Sequence, residues 1–349
     1  MFKLALGALF SLLLVGVPVS DAYAQQAGSS TSSKNSAEKK GVVRKRVAAP
    51  VARARTSKQV VKVRGKRKVV VRRVRVAAPS VQTMGDLAGL NLTHDPLDLK
   101  SSVALVLDQS NSEVLFEKNA NIALPIASIT KLMTGLVVVE AHQDMNEILS
   151  VTDDDVDREK FSRSRLKVGT ELSRNDMLHI ALMSSENRAA SALGRNYPGG
   201  LPGFVAAMNA KAKALGMHDT HYVDSNGLSK FNVASARDLA KLVNATHQEP
   251  LLRQYSTDEK TIIEANGVPM RFGTTNRLVL KDGWDIGLQK TGFINEAGRC
   301  LVMQAKIEGR AVIMVFLDSK GTQSRIADAG RIRKWLEALK PAAMSLPGG

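Results

Sequence analysis

The feature that most constrains how this chain can fold is where its charge lies. The 349 residues carry a formal net charge of +16. Between Lys34 and Arg75 stand seventeen Lys and Arg and a single acid, Glu38, so the sequence after Arg75 is neutral overall. Residues 25–85 also lack aromatic side chains, and they repeat RVAAP, so they have too little apolar surface to offset the backbone entropy of folding. We therefore predict a basic, disordered tether over residues 25–85 and a folded domain after it.

The first residues have the pattern of an export signal. Lys3 precedes an apolar run from Leu4 to Val19, and Ala22 and Ala24 fit the small-x-small pattern of a signal-peptidase site. The run is short for a bilayer span of roughly twenty residues. We expect a cleaved signal peptide over residues 1–24 and export to the periplasm, with an uncleaved anchor as the alternative.

Export limits the partners of the basic tether. From Val60 to Val76 valine alternates with Lys and Arg, which also allows an edge strand or attachment to a surface. A solvated spacer is the simplest interpretation. The alternative is contact with an anionic surface, such as acidic lipid head groups or a carboxylate-rich wall polymer. Nucleic acid is disfavoured as a partner because export removes the chain from it.

The hydrophobic pattern becomes that of a globular domain from residue 86, which we expect to extend to residue 341 with a tail over 342–349. SVALVLD and EVLFEK flank the polar QSNS and predict a β-hairpin. Helical periodicity then dominates up to VASARDLAKLVNATH, and the strands GLQKTGF, RCLVMQAKI and RAVIMVFLD and one last helix follow. Strands at both ends predict an α+β fold in which N- and C-terminal segments form one antiparallel sheet, with a helical subdomain inserted.

A Ser-x-x-Lys motif opens the most apolar helix. The motif occurs at Ser36, Ser128 and Ser164, but only Ser128 precedes such a helix. Residues i and i+3 share a helix face, so the Ser128 hydroxyl and the Lys131 amine can touch. Burial and a nearby second cation would lower the pKa of this amine, and a neutral Lys131 could then take the proton of Ser128. The alternative is a lysine whose ammonium reaches solvent.

Two further polar motifs follow. Ser-x-Asn at Ser185 to Asn187 lies within a run of predicted apolar helix, where a polar cluster is unexpected. Lys-Thr-Gly occurs once, at Lys290 to Gly292, on a predicted strand. Lys290 and Thr291 offer a charge and a hydroxyl to a carboxylate, and Gly292 permits close approach of a substrate backbone.

The three motifs in this order resemble the penicillin-recognising serine acyl-transferases, which comprise D,D-peptidases and serine β-lactamases. Their flanks, among them LPIASITKLMT, LMSSENRAA and LQKTGFINEAGRCLVM, are similar to peptidases of family S11, most closely the D-alanyl-D-alanine endopeptidase branch. The resemblance covers about Leu97 to Leu339. Glu186 departs from the Gly that the family often carries in the middle of Ser-x-Asn.

The resemblance implies a role for each motif residue. Ser128 would form the acyl-enzyme with Lys131 as its base, and Ser185 would relay a proton to the leaving amine. Asn187 would hold the substrate amide and orient Lys131, while Lys290 and Thr291 would bind the terminal carboxylate. The backbone N–H groups of Ser128 and Phe293 would form the oxyanion hole, with Gly292 beside them.

The implied substrate is the D-Ala-containing stem peptide of peptidoglycan. Cleavage of the cross-link between stems is favoured over trimming of the terminal D-Ala, because the flanks match the endopeptidase branch and the sequence after Gly292 is short for a second domain. β-Lactams are the expected inhibitors. A β-lactamase is disfavoured, since Glu171 and the acids of DDDVDRE precede the second motif. A wall-binding protein with little catalytic activity is the alternative of another class.

Other combinations of reactive residues are weaker, and we expect neither a metal nor a cofactor. His218 and His221 have ligand-like spacing without a completing carboxylate motif, so they are interpreted as loop or groove residues. No Gly-x-Ser-x-Gly sequence supports a Ser-His-Asp triad. Cys300 is the single cysteine, which excludes an internal disulfide, and its apolar strand predicts a small buried side chain.

Overall fold

The computed structural model of the protein describes residues 55–63, 66–74, 81–321 and 323–339. The chain divides into two compact units, one ending at Ala78 and one beginning at Pro79, and each is considered by itself. The predicted signal peptide, the predicted tail and tether residues 25–54, 64–65 and 75–80 lie outside the described residues. Met84 and Gly85, which were assigned to the tether, belong instead to the first helix of the second unit.

The regular elements are numbered in chain order. The strands are β1 (Arg55–Val63), β2 (Lys66–Val74), β3 (Ser101–Asp108), β4 (Val114–Lys118), β5 (Leu124–Pro125), β6 (Ile148–Ser150), β7 (Glu171–Ser173), β8 (Val233–Ala234), β9 (Lys260–Ala265), β10 (Val268–Gly273), β11 (Asp285–Ile294), β12 (Gly298–Ile307) and β13 (Arg310–Ser319). The α-helices are α1 (Met84–Leu87), α2 (Thr130–Glu140), α3 (Arg174–Met183), α4 (Asn187–Arg195), α5 (Gly200–Ala214), α6 (Ala236–His247), α7 (Pro250–Thr257) and α8 (Ser324–Ala338). Single 3-10 turns occur at Leu90–Leu92, Ala127–Ile129 and Asp153–Asp155.

The N-terminal unit contains one antiparallel strand pair. Strand β1 pairs with β2 in a register that places Arg55 opposite Val74 and Val63 opposite Lys66. Over these two stretches the structure differs from the predicted disordered tether. The β-branched valines that alternate with basic residues favour extended backbone, which is the edge-strand alternative that the alternation over Val60 to Val76 allowed.

The second unit is built on a five-stranded antiparallel sheet. Its strand order is β11-β12-β13-β3-β4, so the first strand pair of the domain joins the last three. This confirms the predicted architecture. Strands β12 and β13 are linked through Glu308 and Gly309, whose φ angles of 52° and 79° are those of the tight hairpin turn that matches strand twist.

The sheet is covered on both faces because its strands alternate between two apolar cores. One face includes Val103, Leu105, Val302 and Val315 and packs on the helical subdomain, by which we mean residues 119–284. The opposite face packs on α8 through the side chains Ala104, Val106, Met303, Met314, Phe316, Ala329, Ile332 and Leu336. Helix α8 therefore closes the domain as the sequence predicted.

Helix α2 lies in the middle of the larger core. Every residue from Thr130 to Val138 is buried, as the run of apolar residues predicted. Helices α3 to α7 surround it, and Gly216 ends the turn after α5 with a φ of 69°. The lysine at position 131 is thereby held inside the domain.

Several elements were not predicted. Helix α7, the hairpin β9–β10 and the short pairs β5–β8 and β6–β7 are absent from the sequence interpretation. They are short and their apolar pattern is incomplete, so tertiary packing decides their conformation. No helix in the described part of the chain is both long and apolar enough to cross a bilayer.

Candidate active site

The first motif lies where a 3-10 turn runs into α2. Ser128 is the middle residue of that turn, and Lys131 is the second residue of the helix. The Lys131 Nζ donates to the Ser128 Oγ at 2.9 Å. The i, i+3 spacing therefore produces the contact that the sequence argument required.

The Lys131 amine is fully buried among oxygen acceptors. Besides Ser128, its Nζ contacts the Asn187 Oδ1 at 2.8 Å and the backbone oxygen of Asn226 at 2.5 Å. Burial lowers the pKa of Lys131 to about 7, against the opposing attraction of Asp224 and Glu186. The amine can therefore be neutral near neutral pH.

The pKa of Lys131 is lowered for a different reason than the sequence predicted. A second cation was expected to help lower the pKa of Lys131, yet burial alone has that effect. The repulsion between Lys131 and Lys290 instead affects the pKa of Lys290. Burial holds the pKa of Lys290 well below its usual range, and the charges of Lys131 and Arg325 lower it further.

The Ser-x-Asn motif occupies a break between helices and not a helix interior, which also corrects the sequence interpretation. Helix α3 ends at Met183 and α4 begins at Asn187. Ser185 between them has a φ of 62°, and the backbone N–H of Glu186 returns to the carbonyl of Ile180 at 3.1 Å. The left-handed conformation at Ser185 stops the helix.

The third motif contacts the second directly. The Lys290 Nζ donates to the Ser185 Oγ at 2.9 Å and to the backbone carbonyl of Thr291 at 3.0 Å. The Thr291 Oγ1 lies 2.6 Å from the Thr275 Oγ1. Lys290 and Thr291 are buried on β11, the edge strand of the sheet. An amine and two hydroxyls are thus gathered beside Ser185.

Gly292 makes the closest approach between β11 and the turn that holds Ser128. A Cβ at position 292 would lie 2.8 Å from the carbonyl oxygen of Ile126 and 3.2 Å from the backbone N of Ser128. The next residue, Phe293, is 51% exposed, with the Arg299 guanidinium 4.6 Å from its ring centroid. The structure therefore brings the peptide between Gly292 and Phe293 next to the Ser128 N–H.

Asn187 bridges the base to a loop. Its Oδ1 accepts from Lys131, and its Nδ2 donates to the Ser162 Oγ at 3.0 Å. The three motifs selected from the sequence are thus brought together, because Ser128 and Asn187 contact Lys131, Ser185 contacts Lys290, and Gly292 lies beside the turn of Ser128.

Sequence reasoning missed the loop that supplies the third acceptor of Lys131. Asp224 accepts backbone N–H bonds from Asn226, Gly227 and Ser229. The fully buried Asn232 donates to Asp224 and to the Thr130 Oγ1 of α2, at 2.8 and 3.1 Å. The turn-forming run Asp-Ser-Asn-Gly was the available signal.

Arg325 was missed as well. It lies on α8 and is 8% exposed, and its Nη1 donates to the carbonyl of Gly292 at 3.0 Å. No local pattern marks an arginine on an amphipathic helix as a contact of a distant strand.

Of the remaining reactive residues, Cys300 lies on β12 opposite Gly292. Cys300 is fully buried on the sheet, as predicted, and burial raises the pKa of its thiol to about 12. His221 pairs with Val233 through backbone hydrogen bonds. Within the described ranges, no group of three or more His, Cys, Asp or Glu side chains could hold a metal ion.

A serine hydroxyl bonded to a buried lysine of lowered pKa, facing a Lys-Thr-Gly strand, defines a serine acyl-enzyme hydrolase of the penicillin-recognising fold. A family profile for S11 peptidases, described as D-alanyl-D-alanine carboxypeptidase, matches residues 91–321. The chain belongs to this family.

Individual relatives agree with the family. Over 252 residues the chain is 48% identical to the D-alanyl-D-alanine endopeptidase of Pseudomonas aeruginosa, covering 72% of this chain and 80% of the relative. It is 44% identical over 245 residues to the D-alanyl-D-alanine endopeptidase of Escherichia coli K12, covering 70% and 79%. The crystal structure of the Streptomyces K15 DD-transpeptidase matches with a TM-score of 0.65 at 24% identity, covering 71% of this chain and 100% of that one, which supports the fold.

Proposed function

We propose that this chain is a D-alanyl-D-alanine endopeptidase that cleaves peptidoglycan cross-links through an acyl-enzyme on Ser128. The observation that carries the proposal is the 2.9 Å contact between Ser128 and Lys131, whose pKa is about 7. A lysine of this kind can accept the serine proton at neutral pH. The names of the two similar relatives support the cross-link as the bond attacked.

In the acylation step, the Ser128 Oγ attacks the D-Ala carbonyl carbon while its proton passes to Lys131. The oxyanion that forms is stabilised by the backbone N–H groups of Ser128 and Phe293. Ser185, bonded to Lys290, delivers a proton to the leaving nitrogen as the C–N bond breaks, and it regains a proton from Lys131, which is then neutral for the next step. Lys290 and Thr291 hold the carboxylate next to that nitrogen. Asn187 binds the substrate amide and orients Lys131.

Water completes the cycle. It attacks the ester carbonyl, and Lys131 takes a proton from it and returns one to Ser128. The products are a stem peptide with a new D-Ala carboxylate and a second stem with a free amine. The active site therefore ends the cycle unchanged.

Penicillins would acylate Ser128 in the same way and stay bound. Their opened ring keeps the leaving nitrogen attached, so deacylation depends on an activated water. Glu171 is exposed on β7 and lies before the second motif, unlike the water-activating Glu of one β-lactamase class. A long-lived adduct is the consequence.

Trimming of the terminal D-Ala is the second candidate activity. It uses the same chemistry, and the family profile is described by it. The proposal also includes the domain limits given above, cleavage of the signal peptide and export to the periplasm. It further includes contact of the basic tether with an anionic surface. The wall-binding alternative is disfavoured by the assembled cleft.

A digest of purified dimeric muropeptide separates the candidates. An endopeptidase converts the D-Ala-linked dimer into two monomers, which mass spectrometry identifies, and Ser128→Ala abolishes the products. Loss of only a terminal D-Ala would indicate a carboxypeptidase. Absence of any product would indicate a wall-binding protein that does not cleave the substrate.

A further inference from the structure

A cavity beside the active-site residues described above contains a carboxylate oxygen that has no hydrogen-bond partner among the described residues. It has a volume of about 520 Å³, and its walls include Arg163, Arg165, Ser185, Glu186, Phe272 and Thr275. Glu186 is 8% exposed, and its Oε1 is buried without a hydrogen bond. Lys131 attracts the charge of Glu186, but burying a carboxylate oxygen without a hydrogen bond is still costly. A donor group of a ligand that enters the cavity would satisfy this oxygen.

The cavity adjoins the place where the leaving group is expected. Ser185 belongs to its wall and bonds to Lys290, and Thr275 in the same wall lies 2.6 Å from Thr291. If Lys290 and Thr291 hold the carboxylate of the leaving residue, the side chain of that residue emerges beside them. For a terminal D-Ala that side chain is a methyl group. For a cross-link it is a chain that continues into a second peptide.

The walls match such a peptide chemically. The Phe272 ring gives the cavity an apolar surface, and the Arg165 guanidinium lies 5.3 Å from its centroid. Arg163 is exposed and forms no hydrogen bond or ion pair with the described residues. A peptide stem with free carboxylates and backbone N–H groups can pair with both Arg163 and Glu186.

We propose that this cavity is the subsite for the leaving stem peptide of a cross-linked substrate. In it Glu186 accepts a hydrogen bond from an N–H group of the stem, and Arg163 pairs with one of its carboxylates. The proposal rests on the endopeptidase function above and deepens it. Glu186 and Arg163 are then residues that favour cross-links over terminal D-Ala.

The test compares two substrates in each variant. The kcat/KM for a D-Ala-linked dimeric muropeptide is divided by that for a monomeric pentapeptide stem ending in D-Ala-D-Ala. We expect Arg163→Ala and Glu186→Gly each to lower this ratio about tenfold, the size of effect that one charge-assisted hydrogen bond produces. Arg158→Ala is the matched control, because Arg158 is also exposed, lies in the same loop and is outside the cavity wall. Its ratio stays at the wild-type value.

The remaining outcomes overturn the proposal in distinguishable ways. If Glu186→Gly lowers kcat/KM equally for both substrates, Glu186 acts through Lys131 or through folding and not through the leaving stem. If the ratio is also unchanged in Arg163→Ala, the cavity is not a subsite for that stem. Wild-type enzyme that trims the pentapeptide but leaves the dimer intact would refute the endopeptidase function itself, and the subsite with it. Melting temperatures of all variants identify any that fail to fold.

Discussion

The buried amine of Lys131 is the residue on which the chemistry depends. An ammonium inside an apolar domain loses its hydration, so the neutral form is favoured and the pKa falls to about 7. Three oxygen acceptors from three different segments hold the amine in place. Lys131 is thus held in position, and its pKa allows the neutral form to be populated near pH 7.

This pKa predicts how acylation depends on pH. Only neutral Lys131 can accept the Ser128 proton, so the rate of acylation by a fluorescent penicillin should rise with pH and reach half its maximum near pH 7. Stopped-flow measurement from pH 5 to 9 checks this. Lys131→Met should lower the rate about 10³-fold and remove the dependence. A rate that falls as the pH rises through 7 would contradict a neutral lysine base.

For single residues, the sequence predicted contacts between side chains better than contacts from side chains to backbone carbonyls. The apolar neighbours of Lys131 favoured its burial and left an ammonium that reaches solvent as the alternative, which the structure excludes. Contact with Ser128 followed from the i, i+3 spacing of the two residues. The carbonyl of Asn226, 95 residues away, could not be predicted, because any residue type supplies a carbonyl. The contact between Arg325 and the carbonyl of Gly292 could not be predicted for the same reason.

The loop from Asp224 to Asn232 packs against the turn that carries the nucleophile, Ser128. Gly227 has a φ of 80°, and a Cβ there would lie 2.1 Å from the carbonyl oxygen of Ala127, next to Ser128. Both the conformation and the space therefore require glycine.

Substitution in this loop should affect stability strongly. We expect Gly227→Ala to lower the free energy of unfolding by about 3 kcal/mol or more, because left-handed strain and a backbone clash add. Gly267→Ala is the control: its φ is 74°, but nothing lies within 4 Å of the added Cβ. It should cost about 1 kcal/mol. Urea unfolding measures both, and equal losses would show that the close contact with Ala127 is unimportant.

The break between α3 and α4 shows why element boundaries resisted prediction. Apolar periodicity continues through LMSSENRAA, so the pattern indicated one helix. The left-handed φ of Ser185 and the return bond of Glu186 to Ile180 end α3 at that point. This arrangement turns Ser185 toward Lys290, and a continuous helix would not.

At the scale of the whole molecule, the order of strands and helices was sufficient to predict the sheet. Long strands with continuous apolar runs, such as β12 and β13, are set by local pattern and by the tight turn at Glu308 and Gly309. In the basic segment the valine alternation allowed an edge strand, but the pairing of β1 with β2 was not predicted, because composition describes the average of a segment and not which two short stretches pair.

The central claim is that the assembled domain forms an acyl-enzyme on Ser128 and lacks a group that rapidly hydrolyses a penicillin adduct. Mass spectrometry of the intact chain after exposure to benzylpenicillin tests it most directly. We predict a gain of one whole penicillin, mapped by peptide analysis to Ser128, that persists after free drug is removed and is absent in Ser128→Ala. An adduct at another residue, or rapid release of opened penicillin without an adduct, would contradict the account.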